Sequence, residues 1–320
     1  MSDPLESLYQ TFNTGDPREK YDDLPTFPRM LDLEMTNVCN FRCIFCPTGN
    51  QSMNRRTGMM NKDTFGKILA QCNKNTAFRF IGWGEPTLNP NLPGFIEQAT
   101  ERGIITHLNT NGNILNPILM QQLISAGLTS IKFSFQGVDA ASYETMRGVD
   151  CFEMLIGIIK KFRDLRGNDS YPYMSASTTV TYETADSIAE FVQRLEELVD
   201  KVSVGDTIFD FFDLDAIKLK KKAADRLRIF AKNARQPHGH PVPCPEVFDK
   251  LSIHWDGGVS VCCNDHSGVT DLGNVNETPV KEIWRHPTIE AYRERLANKN
   301  YDAPLCEVCW DYLSLSEGEK

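Results

Sequence analysis

No stretch of this chain approaches the ~20 consecutive apolar residues that cross a bilayer. Residues 1–30 are polar and acidic, with no apolar run of the kind that forms a signal peptide. Together these absences predict a protein that stays in the cytoplasm and has no membrane partner. A basic excess is missing too: 34 Lys and Arg stand against 43 Asp and Glu, a formal net charge of −9. A generic nucleic-acid binder needs a basic face for phosphates, so no nucleic-acid partner is expected. Low-complexity tracts and internal repeats are also absent, which leaves an ordinary globular composition. At 320 residues the chain can bury one large core, or a core plus a smaller module. What is there is cysteine, at 39, 43, 46, 72, 151, 244, 262, 263, 306 and 309. Ten cysteines in a reducing compartment argue for metal rather than disulfides.

The first group is the tightest, Cys39-Asn40-Phe41-Arg42-Cys43-Ile44-Phe45-Cys46. With Asn40 and Pro47 nearby, it reads as a loop. A loop wraps three thiolates around one face of an iron–sulfur cube, which leaves the fourth iron open to a substrate. A zinc site is the alternative, although structural zinc prefers four ligands in CxxC pairs. From Arg29 onward, short β-rich runs alternate with helical patterns, the signature of a parallel sheet built from βα units. Six strands are expected, at Met30–Thr36, Ala77–Ile81, Ile104–Asn109, Ser130–Phe135, Met174–Thr181 and Ser203–Phe212. Helices are expected at Lys62–Cys72, Leu92–Arg102, Pro117–Ala126, Phe152–Arg166 and Ser187–Val199. The fold class is α/β, a partial (β/α)6 TIM-like barrel, with a doubly wound sheet as the alternative.

The expected division is an N-terminal extension without a core of its own (1–28), the barrel (29–214), a basic helix and linker (215–243) and a small C-terminal module (244–320). The module is expected to carry a hairpin, Leu251–Trp255 and Val259–Val261, then a helix around Val280–Asn298. Lys218 to Arg235 holds eight Lys and Arg against Asp225 alone. This is either a solvated face or a dock for an acidic electron donor or an anionic substrate. His238 and His240, in the Pro-rich linker, are read as exposed rather than as metal ligands.

The segment Thr36-Asn37-Val38-Cys39 through Asn50 resembles the cluster loop of radical S-adenosylmethionine (radical SAM) enzymes. The resemblance implies a 4Fe-4S cluster held by Cys39, Cys43 and Cys46 at the C-terminal mouth of the barrel. Its open iron takes the amino and carboxylate groups of S-adenosylmethionine, whose reductive cleavage gives a 5′-deoxyadenosyl radical. Phe45 matches the family's aromatic beside the adenine. Gly82-Trp83-Gly84-Glu85-Pro86 resembles the GGEP element whose backbone holds the methionyl amino group, with Trp83 departing from the commonest pattern. Close backbone approach is the reason for glycine there. Asn109-Thr110-Asn111-Gly112 resembles the TNG turn, and Ser134 a serine that contacts the cosubstrate. Gln136 stands where Asp is more usual. Arg147 resembles an arginine that pairs with the cosubstrate carboxylate, a task suited to a guanidinium fork.

Cys244, Cys262, Cys306 and Cys309 form C-x17-C…C-x2-C, which would also suit a zinc ribbon. Trp255-Asp256-Gly257-Gly258-Val259, Leu272-Gly273-Asn274-Val275 and Cys306-Glu307-Val308-Cys309 resemble the SPASM module or its shortened "twitch" form. That resemblance implies a second 4Fe-4S auxiliary cluster on these four cysteines. Cys72 and Cys151 are read as buried apolar thiols. Cys263 is expected to point away from Cys262, because neighbours on a strand face opposite sides. It is either packing or a hydrogen-atom donor, the one candidate catalytic side chain.

The resemblance implies dehydrogenation or epimerisation of a small polar sugar or cyclitol, with electrons from an acidic donor such as a flavodoxin or ferredoxin. A SPASM-type maturase of a ribosomal peptide is the alternative. The 38 residues before Cys39 are too few for a leader-recognition core, which weighs against it. A non-catalytic iron–sulfur electron carrier is the third reading.

Overall fold

Each strand of this chain alternates one apolar and one polar set, and that alternation sets up the architecture. In a computed structural model, which describes residues 2–12, 15–207, 225, 244–306 and 309, eight strands form one sheet. They are β1 (Met30–Leu33), β2 (Ala77–Phe80), β3 (Thr106–Thr110), β4 (Ser130–Ser134), β5 (Tyr173–Val180), β6 (Lys201–Asp206), β7 (Lys250–Ile253) and β8 (Val259–Ser260). Leu31, Leu33, Phe78, Phe80, Ile131, Phe133, Met174 and Ala176 join the buried core with the helices. Successive side chains face opposite sides, so Asp32, Arg79, Lys132, Ser134, Ser177 and Thr179 share the concave face. Asp32 accepts both bonds of the Arg79 fork there.

The strand order is β6-β5-β4-β3-β2-β1-β7-β8. A doubly wound sheet would reverse direction at its middle; this order runs monotonically from β1 to β6, the topology of a partial (β/α)6 barrel. Parallel pairing runs throughout β1 to β6. β7 pairs parallel to the free side of β1, and β8 turns back antiparallel. The C-terminal hairpin therefore extends the barrel's own sheet.

The helices fall where the periodicity places them: α3 (Lys62–Leu69), α4 (Leu92–Glu101), α5 (Pro117–Ser125), α7 (Phe152–Arg166) and α8 (Ala185–Glu196). Pattern alone missed four. α1 (Glu6–Phe12) and α2 (Pro17–Asp22) occupy the N-terminal extension. Leu5 and Phe12 pack on Met30 and Ala77 at the first residues of β1 and β2, so the extension closes the bottom of the barrel. α6 (Ala140–Arg147) starts in a capping box at Asp139 and Ser142 and stops at left-handed Gly148. After the short α9 (Pro245–Phe248), the expected helix over 280–298 is two pieces, α10 (Val280–Ile283) and α11 (Pro287–Ala297). Pro287 has no N–H to continue a helix and instead opens the second one. The basic segment 218–235, apart from Asp225, and His238 and His240 lie outside the described residues. No helix among the described residues is long and apolar enough to cross a membrane.

Candidate active site and auxiliary cysteine group

The loop after β1 carries the three cysteines across the mouth of the barrel. A Cβ on Gly49 would collide with the backbone of Cys43, so glycine lets the loop fold back on itself. The Ile44 N–H donates to the Met146 carbonyl at 3.0 Å, which fixes the loop to the end of α6. The Glu85 N–H donates to Val38 at 2.9 Å. A Cβ on Gly84 would strike the Thr36 and Val38 carbonyls, so only glycine permits this approach.

One cavity of about 330 Å3 is lined by all nine residues expected at the cosubstrate site: Cys39, Cys43, Cys46, Phe45, Gly84, Glu85, Asn111, Ser134 and Arg147. Their individual settings differ from a simple set of ligand contacts. Both oxygens of Glu85 are occupied, accepting from Thr87 Oγ1 at 2.6 Å, Thr110 Oγ1 at 2.7 Å and Asn111 N at 2.7 Å. That carboxylate ties the GEP turn to the TNG turn. Burial pushes its pKa up, and these bonds pull against the rise. Asn111 Nδ2 donates to Asn40 at 2.8 Å and lies 3.9 Å from the Cys39 sulfur. Arg147 donates to the Ser134 carbonyl at 2.6 Å and reaches the Cys43 sulfur at 3.7 Å. Its guanidinium lies 5.6 Å from the Phe45 ring centroid, and its Nε has no hydrogen-bond partner among the described residues. Gln136 bridges Thr207 at 2.8 Å and Thr179 at 2.5 Å.

These donors fit an iron–sulfur cluster. Burial pushes the Cys39 thiol up to about 12 and raises that of Cys43, with Arg147 opposing the second shift. Thiolates so penalised need a metal to hold them, and N–H groups already face two of the sulfurs: Phe41 N is 3.5 Å from Cys39. The unpaired Nε of Arg147 suits a carboxylate nearby.

The second group assembles on the far side of Trp83, whose indole N–H donates to the Cys263 carbonyl at 3.1 Å. The hydroxyl of Tyr301 is raised by burial, then by Cys244 and Cys306 nearby. That of Tyr292 is raised by burial, then by Cys306 and, less, by Cys262. The Cys309 N–H donates to the Cys306 carbonyl at 3.1 Å, which closes a tight turn between the two cysteines. Cys263 contradicts the expectation of opposite faces. β8 ends at Ser260, and the turn closed by Asp265 N–H on the Cys262 carbonyl abolishes strand alternation. Both thiols and a carboxylate oxygen of Glu246 consequently lie within 4.8 Å of one another. Glu246 was missed in the sequence; its one signal is its place two residues after Cys244. Cys72 is buried, while the Cys151 sulfur accepts from Asn113 at 3.5 Å.

The chain matches the model of the radical SAM superfamily over residues 33–195 and that of the SPASM iron–sulfur cluster-binding domain over 244–310. It is 27% identical to the tungsten-containing aldehyde ferredoxin oxidoreductase cofactor-modifying protein of Pyrococcus furiosus, over 88% of this chain and 87% of that protein. It is 25% identical to the AdoMet-dependent heme synthase of Nitratidesulfovibrio vulgaris, over 92% and 87%. The PqqA peptide cyclase of Granulibacter bethesdensis matches at 29% over 38% of this chain and 33% of that protein. Streptococcus suis SuiB bound to S-adenosylmethionine superposes with a TM-score of 0.64 at 18% identity, covering 97% of this chain and 78% of that one. SuiB bound to precursor peptide SuiA gives 0.63 at 17%, covering 92% and 72%. At these identities the structural likeness speaks for the fold alone.

Proposed function

The chain belongs to the radical SAM superfamily and carries a SPASM iron–sulfur portion, and from that premise we propose that it abstracts hydrogen from a peptide substrate. The observation that carries the radical chemistry is the single cavity holding Cys39, Cys43 and Cys46 together with Glu85, Asn111, Ser134 and Arg147. When bound, the cluster supplies the electron that cleaves S-adenosylmethionine, and the radical so released supplies the hydrogen abstraction. Cys39, Cys43 and Cys46 hold that cluster, and Arg147 takes the cosubstrate carboxylate on its free Nε. Glu85 fixes two turns whose backbone lines the site, and Phe45 flanks the adenine. Cys244, Cys262, Cys306 and Cys309 hold the auxiliary cluster, beside the barrel wall. The peptide reading takes its support from the PqqA peptide cyclase among the relatives and replaces the sugar or cyclitol as the leading substrate class.

A second reading, oxidation of a small molecule, draws on the AdoMet-dependent heme synthase, which matches over 92% of this chain. One experiment separates them: anaerobic incubation with deuterated peptides, sugars, cyclitols and tetrapyrroles, reading deuterium in 5′-deoxyadenosine. Deuterium from non-peptides alone would overturn the peptide assignment. No reductive cleavage under any condition would leave only an electron carrier. We place the protein in the cytoplasm, where its ten cysteines escape oxidation to disulfides, with an acidic donor such as a flavodoxin or ferredoxin as its electron source.

Cys263 lines a second cavity adjoining the first, which suits the hydrogen-donor role. Cys263→Ala is expected to keep its iron and consume cosubstrate while losing any stereo-inverted product. Lost iron would instead make Cys263 a cluster ligand.

A further inference from the structure

The second cavity has a volume of about 230 Å3 and shares Ile81, Gly82 and Trp83 with the first. Pockets for whole ligands run roughly 300–1,000 Å3, so this space takes one group of a substrate. Ile81, Trp83 and Ile253 supply apolar walls. Asp32, Glu34, Cys263 and Asn264 line it too, and two further polar residues leave a side-chain atom unpartnered. His254 Nε2 and Ser252 Oγ have no hydrogen-bond partner among the described residues, although the residues are 8% and 6% exposed. An unsatisfied buried polar atom costs about 1–3 kcal/mol, so this pair suits a group that bonds to both.

The chemistry of that ligand follows from the ring's orientation. His254 Nδ1 lies 3.8 Å from Glu34 Oε1. The Arg55 fork grips Glu34 at 2.9 and 2.7 Å and holds the carboxylate in place. A carboxylate on the Nδ1 side of the ring favours the proton on that nitrogen electrostatically, which leaves Nε2 with a lone pair. Burial also favours the neutral ring. His254 Nε2 is thus an acceptor, in a cavity whose carboxylates, Asp32 and Glu34, are already held by the Arg79 and Arg55 forks.

We propose that this cavity receives a substrate group with an apolar body and one hydrogen-bond donor at its tip, the chemistry of a phenol, and that His254 Nε2 accepts the bond. Ser252 is the second partner. The proposal rests on the reading that a peptide side chain enters the barrel mouth.

The test uses p-cresol and toluene, which differ by one hydroxyl, in calorimetric titrations of the iron-loaded protein. One neutral hydrogen bond predicts p-cresol binding roughly three- to tenfold tighter than toluene. His254→Phe should abolish that preference, and His254→Gln, which keeps an acceptor, should retain part of it. Ser252→Ala should lower the same ratio and serves as the deciding variant if His254→Phe does not fold, as read by circular dichroism and iron content. Equal affinity for the two probes, binding of neither, or an undiminished preference in the folded variants overturns the proposal. No turnover is read, so a failure of the peptide assignment appears only in the deuterium experiment and leaves these outcomes intact.

Discussion

Arg147 joins two chemistries in one side chain: it touches the Cys43 sulfur and keeps Nε free on the same buried guanidinium. Arg147→Ala is expected to weaken S-adenosylmethionine binding by ~1.5–3 kcal/mol, the range for hydrogen bonds to charged groups, with iron content retained. Equilibrium binding and iron assay check both halves; unchanged affinity would assign the arginine to the sulfur alone. Lys132 poses a separate electrostatic problem. Burial, with Arg79 and Lys250 adding repulsion, pulls its pKa from 10.5 down to about 8. Between about 8 and 10.5 the unfolded chain therefore binds the extra proton, and stability rises with pH through that window. Lys132→Met should raise stability below pH 8 by roughly 1–3 kcal/mol and flatten the rise, as measured by thermal unfolding against pH. That Cys39, Cys43 and Cys46 would come together was legible because their spacing is local. The orientation of Cys263 was not, because it depends on where β8 ends, and neither was His254, whose meaning depends on Glu34 from another strand.

Among the elements, the six strands and five of the helices were legible from hydrophobic periodicity, which needs several turns to register. α1 is about two turns of helix, too short for such a signal, yet Phe12 is almost fully buried. Phe12→Ala is expected to cost about 3–5 kcal/mol, seen as a lower unfolding midpoint in denaturant. A loss under 1 kcal/mol would show that the helix merely rests on the barrel. α6 was visible only as the motif Tyr143 to Gly148; the capping box that starts it at Asp139 and its packing beside the cluster loop explain why Arg147 arrives at the sulfur.

At the scale of the whole molecule, the two cysteine groups are attached to one continuous sheet, with the radical-site loop leaving β1 and the auxiliary loop leaving β8. Anaerobically reconstituted protein should contain about eight irons, four per cluster. Changing Cys39, Cys43 and Cys46 together to Ala should leave about half, with the remainder on the C-terminal group. Tightly bound zinc in place of that remainder would refute the auxiliary cluster. The continuity of the sheet could not be read from the sequence, since nothing local announces that β7 pairs with β1 rather than with β6.

That pairing also sets a timetable. The register aligns Met30 with Lys250, so the second neighbour of β1 leaves the ribosome about 220 residues after β1 itself. At roughly 5–20 residues per second the interval is about 10–45 s. Throughout it the nascent barrel shows an open parallel edge, and for most of it the three radical-site cysteines are outside the tunnel while the auxiliary ones are still unmade. Birth order thus gives the metal-delivery machinery of the cell a period in which only the first site exists to be filled.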